Sequence, residues 1–365
     1  MLPAGAESAR ELHSQAMALV KRGQLQPALD KEQAAGKLEP KSVLVHRGLS
    51  FIYTQLGELD QATAEAQKVV ELAPGEAAGY YSLGYALQLR GMQAAALSEY
   101  RRANTLAPSL NCQLNIAQCL LALNRRQQAI KLLESLSAQH ADDFRLWMNL
   151  AAAYCSIGDV LGADQAARKA VMLSPDSYEA TRMLLDITLA RMKPNQAEPL
   201  ARRLIELKPE DDKAYRYLAD LKSVVDDRPP DADQLLALAR HNLPQDDALF
   251  AYLAQDFMQR AARLRAGTLA GDWRRQHTWF GLAERALSYA VEAAPGNPSH
   301  RLALVEVLKM EHKFPDALSQ VEAVLHLDPM NSQAKAQLSQ LKVARNDLAG
   351  ALRQWIYQLL PRRPG

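Results

Sequence analysis

The 365-residue sequence contains no uninterrupted apolar run that approaches the eighteen or more residues of a membrane-spanning helix. Residues 1–10 also lack the basic and apolar regions of a signal peptide. We therefore expect a cytoplasmic protein without a transmembrane segment, or a periplasmic one if a leader has been removed.

An excess of charge of one sign is absent as well. Lys and Arg together number 43, and Asp and Glu together number 41. Because a chain with this balance has no overall field that attracts polyanions, the composition does not favour nucleic acid or an anionic membrane as the partner.

Cysteines are few, and they are Cys112, Cys119 and Cys155. The first two are seven residues apart on one predicted helix, a rise of about 10 Å, which is too far for a disulfide. We expect small buried thiols in a reducing compartment, with a reactive thiol as the alternative.

Motifs of catalysis are missing too. The sequence has no glycine-rich dinucleotide or phosphate loop, no His-Glu-x-x-His and no Cys-x-x-Cys, and its eight histidines have no partner at ligand spacing. The carboxylate pairs Asp142-Asp143 and Asp211-Asp212 stand at predicted helix starts, where the helix dipole favours them as caps. We therefore expect no enzyme, no metal site and no cofactor.

What the sequence does contain is a repeating pair of helices, clearest at residues 144–177. Trp147, Leu150 and Tyr154 lie on one helical face, and Gly158 ends that helix. A second run has alanine at every third or fourth position and ends at Pro175. Two such short amphipathic helices cannot bury their apolar faces alone, so the pair must stack on copies of itself.

The pair recurs with a period of about 34 residues. Units are predicted at residues 9–42, 43–76, 77–110, 110–143, 144–177 and 178–211. Asn124 replaces the turn glycine in the fourth unit, and asparagine tolerates the left-handed conformation that such a turn needs.

The recurring small, aromatic, glycine and proline positions resemble the tetratricopeptide repeat (TPR). The resemblance implies an all-α fold, an α-α superhelix or TPR solenoid of about ten antiparallel helical hairpins, with helix A of each hairpin lining a concave groove. Small residues at the eighth and twentieth positions of a unit allow its two helices to approach closely. Proline at the thirty-second position ends helix B.

The chain is predicted to have three segments. Residues 1–211 hold six well-formed units, residues 212–297 hold two degenerate units, and residues 298–365 hold a ninth unit, a capping helix pair and a short tail. Because Pro295 closes its unit late, we predict an elongated helical hairpin at about 247–294, with a turn at residues 267–271 and Asp272 capping its second helix.

Groove positions transferred from the TPR resemblance define the candidate binding site. They are Arg47, Phe51, Tyr81, Tyr85, Gln88, Asn115, Gln118, Arg145, Asn149, Arg182, Asp186, Arg216, Tyr217 and Asp220. Amide side chains can hydrogen-bond a peptide backbone, and Arg and Tyr are frequent anchors. The alternative is that these are solvated helix faces, against which Phe51, Tyr81 and Tyr85 weigh as exposed aromatics in adjacent units.

A second candidate surface is the basic hairpin at residues 260–277. It comprises Arg260, Arg263, Arg265, Trp273, Arg274 and Arg275. Its functional interpretation is a basic, aromatic surface for an acidic partner, nucleic acid or lipid headgroups. Its structural interpretation is the solvated faces of two long helices.

The resulting hypothesis is a non-catalytic scaffold or adaptor that binds a peptide or protein partner in the groove, in the assembly of a secretion, envelope or polysaccharide machinery. One alternative is a substrate-recruiting TPR subunit or domain of a protein-modifying enzyme, of the glycosyltransferase or sulfotransferase type. Another is binding of nucleic acid or an anionic surface through the basic hairpin.

Overall fold

A computed structural model describes residues 7–225, 228–265 and 273–343. Regular structure in these ranges is helical throughout, with eighteen helices of defined bounds followed by helical residues 332–343. None of the described helices is long and apolar enough to cross a membrane. The chain divides into two compact units, residues 1–175 and residues 176–365.

The first unit is a stack of five antiparallel hairpins. Their helices are α1 (Ala9–Lys21) with α2 (Leu25–Leu38), α3 (Val43–Leu56) with α4 (Leu59–Leu72), α5 (Ala77–Leu89) with α6 (Gln93–Leu106), α7 (Leu110–Ala122) with α8 (Arg126–Ser137), and α9 (Phe144–Ile157) with α10 (Val160–Leu173). Each hairpin also packs on the next, which confirms the predicted stacking in this unit.

The second unit contains four hairpins with defined bounds. Their helices are α11 (Tyr178–Ala190) with α12 (Pro194–Leu207), α13 (Asp212–Val225) with α14 (Pro229–Asn242), α15 (Asp247–Arg265) with α16 (Trp273–Ala293), and α17 (Pro298–Met310) with α18 (Phe314–Leu327).

The predicted elongated hairpin is α15 with α16. These helices have 19 and 21 residues, against 14 in each of α13 and α14. The turn at residues 267–271, Asp272, most of the capping pair and the tail lie outside the described residues. The division into three segments at residues 211 and 297 stays a prediction.

Small residues hold the two helices of a hairpin close together. The alanines at the twentieth position are fully buried, and they are Ala62, Ala96, Ala129, Ala163 and Ala197. At the eighth position, a Cβ added to Gly84 would lie 3.0 Å from the ring of Tyr100 on α6. The backbone of α5 therefore packs directly on an aromatic ring, as the small-residue pattern predicts.

The turn between the two helices of a hairpin uses the left-handed conformation. Gly57 and Gly158 end α3 and α9 in this way, and Asn124 takes it with φ of 60°. The prediction for Asn124 is confirmed. Met192 and His312 adopt the same conformation, with φ of 54° and 58°, which the sequence pattern did not indicate.

The cysteines are only partly as predicted. Cys112 and Cys119 are buried on α7, and burial raises the pKa of the Cys119 thiol to about 11, which disfavours the reactive thiolate. Cys155, however, is exposed. Cys155 follows the buried Leu146 by nine residues, which places it on the opposite face of α9. The prediction that all three thiols are buried was therefore wrong.

Candidate functional site

Three amide side chains of the first unit join successive A helices. Gln88 Nε2 on α5 donates to Gln118 Oε1 on α7 at 3.2 Å, and Gln118 Nε2 donates to Asn149 Oδ1 on α9 at 3.0 Å. We call Gln88, Gln118 and Asn149 the amide relay. It brings together three residues that the sequence placed independently in the groove.

Both ends of the amide relay are held. The Tyr100 hydroxyl donates to Gln88 Oε1 at 2.7 Å, and burial raises the pKa of this hydroxyl well above its ordinary value, so it remains protonated. At the other end, Asn149 Nδ2 donates to the carbonyl oxygen of Arg145 at 2.8 Å. The rotamers of the relay amides are therefore constrained before any ligand arrives.

A second contact fixes the aromatic part of this face. Asn115 Nδ2 donates to the Tyr81 hydroxyl at 3.2 Å, and the Tyr81 ring packs edge-on against Tyr100 with centroids 5.6 Å apart. Tyr81 and Asn115 are thus fixed by each other and by the hairpin core.

The amide relay keeps hydrogen-bonding capacity for a ligand. An amide side chain carries two N–H donors and two acceptor lone pairs. The exposed Gln118 uses one of each in the relay, and the described residues supply no further side-chain partner. One donor and one acceptor of Gln118 therefore remain for a partner's backbone.

A groove of about 510 Å³ lies beside Tyr81, across α1, α3 and α5. Arg47, Phe51, Tyr81 and Tyr85 line it, as the sequence predicts for the A-helix face. Phe51 is 45% exposed and Tyr85 is 38% exposed, so both rings reach solvent. A groove with two accessible rings and one guanidinium suits an apolar side chain next to a polar or acidic one.

His13 adds a polar group to this groove. Its Nδ1 lies 2.7 Å from Oε1 of Glu32, whose side chain is fully buried. Glycine at position 48 provides the space, because a Cβ there would lie 2.2 Å from the same carboxylate oxygen. Burial raises the pKa of Glu32, and the hydrogen bond from His13 opposes that rise.

The second unit uses different chemistry on its A helices. Tyr217 on α13 hydrogen-bonds Asp186 on α11, and Tyr252 on α15 donates to Asp220 on α13. Burial and the neighbouring aspartate raise the pKa of each tyrosine hydroxyl. We call these the Tyr–Asp pairs.

Arg216 lies next to the second Tyr–Asp pair. Its guanidinium is 4.8 Å from the centroid of the Tyr252 ring, and its Nε donates to Asp212 at 2.8 Å. Four predicted residues of this face therefore already have partners within the unit, and they are Asp186, Arg216, Tyr217 and Asp220. Arg182 is exposed on α11.

Several groove residues were missed at the sequence level. His13 is the fifth residue of its repeat, as the predicted Arg47 is of the next one. Tyr252 is the sixth residue of the hairpin that starts at 247, as the predicted Asn115 is of the hairpin from 110, so repeat position indicates both. Tyr100 lies on helix B, where that rule gives no signal. Arg145, which was predicted, is exposed and pairs with Asp143 at 3.1 Å.

The prediction that Arg260 belongs to an exposed basic surface is wrong. This side chain is 1% exposed, and it pairs with Asp256 at 2.5 Å. Its guanidinium donates to the Ala219 carbonyl at 2.8 Å and lies 4.9 Å from the Trp279 ring centroid. Because Arg260 is neutralised inside the core, it contributes nothing to an exposed basic surface.

The other members of the basic hairpin fall into two groups. Arg263, Arg274 and Arg275 are exposed. The side chains of Arg265 and Trp273 lie outside the described part of the structure. The case for a concentrated basic and aromatic surface is weaker than the sequence indicated.

The predicted capping role is confirmed for one carboxylate of each pair. Asp143 Oδ1 accepts from the Leu146 N–H at 3.1 Å at the start of α9. Asp211 Oδ1 accepts from the Lys213 N–H at 3.1 Å at the start of α13. Among the residues that the structure describes, no cluster of His, Cys, Asp or Glu could hold a metal ion.

Comparison with known families agrees with the geometry. A tetratricopeptide repeat model matches residues 114–180 and 302–365, and a second model with the same description matches residues 48–76. With hairpins stacked in both units, these matches show that the chain belongs to the tetratricopeptide repeat superfamily.

Solved structures of low identity share this fold. PilW, a widely conserved type IV pilus biogenesis factor, is 18% identical; the match covers 58% of this chain and 97% of PilW with a TM-score of 0.53. A tetratricopeptide repeat protein from Parabacteroides merdae is 13% identical, with 76% and 99% covered and a TM-score of 0.51. These likenesses concern the fold alone. No curated protein matches the chain.

Proposed function

We propose that the chain is a non-catalytic interaction scaffold whose first unit binds an extended segment of a partner protein on its A-helix face. The amide relay of Gln88, Gln118 and Asn149 carries this proposal. It presents fixed amide groups from three consecutive A helices, and those groups match the N–H and C=O groups of a peptide backbone.

Fixing the amides in advance favours binding. A free glutamine side chain loses rotamer freedom when it binds, which costs about 0.5–1.5 kcal/mol. Gln118 is already held at both its oxygen and its nitrogen, so much of that loss is incurred on folding. Binding through the backbone is tolerant of sequence, so selectivity must come from elsewhere.

The groove lined by Arg47, Phe51, Tyr81 and Tyr85 is the proposed source of selectivity. It lies beside the Tyr81–Asn115 contact and therefore next to the relay helices. A partner that lays its backbone on the relay can place one side chain in this groove. Accessible aromatic rings and an arginine are the residue types that dominate binding energy at protein interfaces.

In this proposal the second unit makes a weaker contact with the partner. Arg182, Asp186, Arg216, Tyr217 and Asp220 form its predicted contact surface. Because the Tyr–Asp pairs already occupy most of these groups, we propose that the tighter contact is made by the first unit.

The cellular process is a further proposal. We propose a role in assembling a secretion, envelope or polysaccharide machinery from a cytoplasmic position, on the TPR resemblance alone. A substrate-recruiting role beside a protein-modifying enzyme uses the same surface and differs in the partner. The partner's identity therefore decides between them.

The test is affinity capture from the native cell with three forms of the chain. The wild type is compared with Gln118→Leu/Asn149→Leu, which removes the relay, and with Gln128→Leu, an exposed glutamine on the B helix α8. We expect a protein that the wild type and the control capture and the relay variant does not. A peptide from that protein should then bind the wild type in calorimetry at least about tenfold more tightly than the relay variant. Equal capture by all three forms would show that the relay is not the binding site.

A further inference from the structure

A second groove lies on a B helix of the first unit, away from the amide relay. It follows α6 from the α7–α8 turn at one end to Pro74 and Tyr80 at the other, and its volume is about 600 Å³. None of the predicted groove residues lines it. We call it the α6 groove.

The α6 groove is basic. Arg101, Arg102 and Arg125 line it, no carboxylate does, and all three arginines are exposed. Arg102 makes a distant contact of 3.9 Å with Glu99 and lies 5.9 Å from the Tyr80 ring centroid. Within the described ranges, no carboxylate pairs with Arg101 or Arg125. Two guanidinium groups are therefore available to a ligand in one groove of a chain whose overall charge is balanced.

The floor of the α6 groove is apolar. Leu97, Leu106 and Leu123 line it together with the hydroxyl residues Ser98 and Thr105. Leu106 is 46% exposed, so apolar surface is open to solvent here. A ligand for this groove needs both negative charge and apolar side chains.

These features favour a protein segment over a nucleic acid. Single-stranded nucleic acid binds on aromatic rings that stack its bases. The α6 groove has one aromatic ring, Tyr80, and Arg102 lies over it.

The length of α6 sets the length of segment that the groove can hold. This helix has 14 residues and a length of about 21 Å, which corresponds to roughly six residues of extended chain.

We propose that the α6 groove binds an acidic, leucine-containing segment of a partner protein, with Arg101 and Arg125 pairing with its carboxylates. The site is independent of the A-helix face. The chain would thus hold two protein segments at once, one on an A-helix face and one on a B-helix face of the same unit.

The test uses fluorescence anisotropy with a labelled peptide of alternating glutamate and leucine, and with the same peptide carrying glutamine for glutamate. We expect the acidic peptide to bind the wild type, more weakly at high salt, and the glutamine peptide not to bind. Arg101→Gln/Arg125→Gln should weaken binding by about tenfold or more through loss of two charge-assisted contacts. Lys131→Gln, an exposed cation on α8 outside the groove, should leave it unchanged.

Other outcomes would overturn the proposal. They are no binding of the acidic peptide to the wild type, an equal loss in the Lys131 control, or an oligouridine that binds the same arginines more tightly than the peptide does. Circular dichroism melting establishes that each variant is folded. The relay variant Gln118→Leu/Asn149→Leu should keep full affinity for the acidic peptide, so this proposal and the proposed function fail separately.

Discussion

The two units build the same hairpins with different chemistry between neighbouring A helices. In the first unit the contacts are neutral amides, the relay of Gln88, Gln118 and Asn149. In the second they are the Tyr–Asp pairs, in which the hydroxyl of a half-buried tyrosine faces a carboxylate. A neutral amide keeps donors and acceptors after it has made one contact, whereas an ionised carboxylate that a tyrosine holds offers acceptors alone.

The same contrast extends to turns and buried charges. The first unit uses Gly23, Gly57, Gly91, Gly158 and Asn124 at its left-handed turns, and the described turns of the second use Met192 and His312. The first unit buries Glu32 against His13, and the second buries Arg260 against Asp256. At its turns the first unit follows local backbone preferences closely and the second departs from them, whereas both units bury charged side chains.

The largest expected effect is at the buried arginine of the second unit. Arg260→Met removes an ion-pair partner of Asp256 and a donor to the Ala219 carbonyl inside the core, so we expect a loss of about 3–5 kcal/mol in unfolding free energy. Urea unfolding followed by hydrogen exchange should place the loss in α13, α15 and α16. Arg263→Met, exposed on the same helix, should change stability by under about 0.5 kcal/mol. Similar values for the two variants would contradict a core role for Arg260.

The contacts between A helices should differ in strength. Tyr217→Phe and Tyr252→Phe each remove a donor to a carboxylate, and we expect each to cost about 1 kcal/mol. Gln118→Leu removes neutral, solvent-exposed contacts and should cost at most about 0.5 kcal/mol. Urea midpoints measured side by side test this order. A larger cost for Gln118→Leu would make the relay a stabilising element and weaken its assignment to binding.

A substitution at a left-handed turn should raise the stability of the protein rather than lower it. Met192 holds φ of 54° and is 86% exposed, so Met192→Gly relieves left-handed strain while losing little packing. We expect a gain of about 1 kcal/mol, seen as a higher melting temperature. Gly158→Ala, at the same position of its own hairpin, should lose about the same amount. A destabilised Met192→Gly variant would mean that the side chain makes a contact worth more than the strain.

The smallest expected effect is a change in pH dependence in the first unit. Burial raises the pKa of Glu32 from its ordinary 4.5, against the opposing hydrogen bond from His13. Because the pKa of Glu32 is higher in the folded state than in the unfolded chain, this residue contributes stability that is fully present below pH 4.5. That contribution is lost as the pH rises through the folded-state pKa. Glu32→Gln should remove this loss.

Urea unfolding at acidic and at neutral pH measures the effect at Glu32. On going from acidic to neutral pH, Glu32→Gln should gain a fraction of a kcal/mol in unfolding free energy relative to the wild type. Glu39→Gln, which is exposed at the end of the same helix, is the matched control and should not. A parallel pH profile for Glu32→Gln and the wild type would exclude a titrating Glu32.

The sequence was sufficient for the hairpins because local rules determine them. Apolar spacing, the turn glycines and the closing prolines predict the helices of the first unit, and Asn124 follows from its tolerance of positive φ. Met192 was missed because methionine rarely adopts that conformation, and His312 was missed because neither glycine nor asparagine marks its turn. Their turns are imposed by the packing of the flanking helices.

The candidate site was predictable residue by residue but not as contacts. Repeat positions indicate that Gln88, Gln118 and Asn149 share the A-helix face, yet the offset between neighbouring A helices decides which of them touch. The burial of Arg260 could have been predicted from its spacing on the helix. It lies three residues after Phe257 and four before Leu264 on the buried stripe of α15, a spacing that places even an arginine inside.

The amide relay also gives the repeats of the first unit a fixed sequence order. Its members are the twelfth residue of the hairpin that starts at 77, the ninth of the next from 110, and the sixth of the third from 144. Each step moves three residues, or about 4.5 Å, towards the start of the next A helix. Exchanging any two of these hairpins should leave each hairpin folded but displace neighbouring amides from this register by three or six residues, which is about 4.5 or 9 Å. The three repeats are interchangeable as building blocks but not as a binding surface.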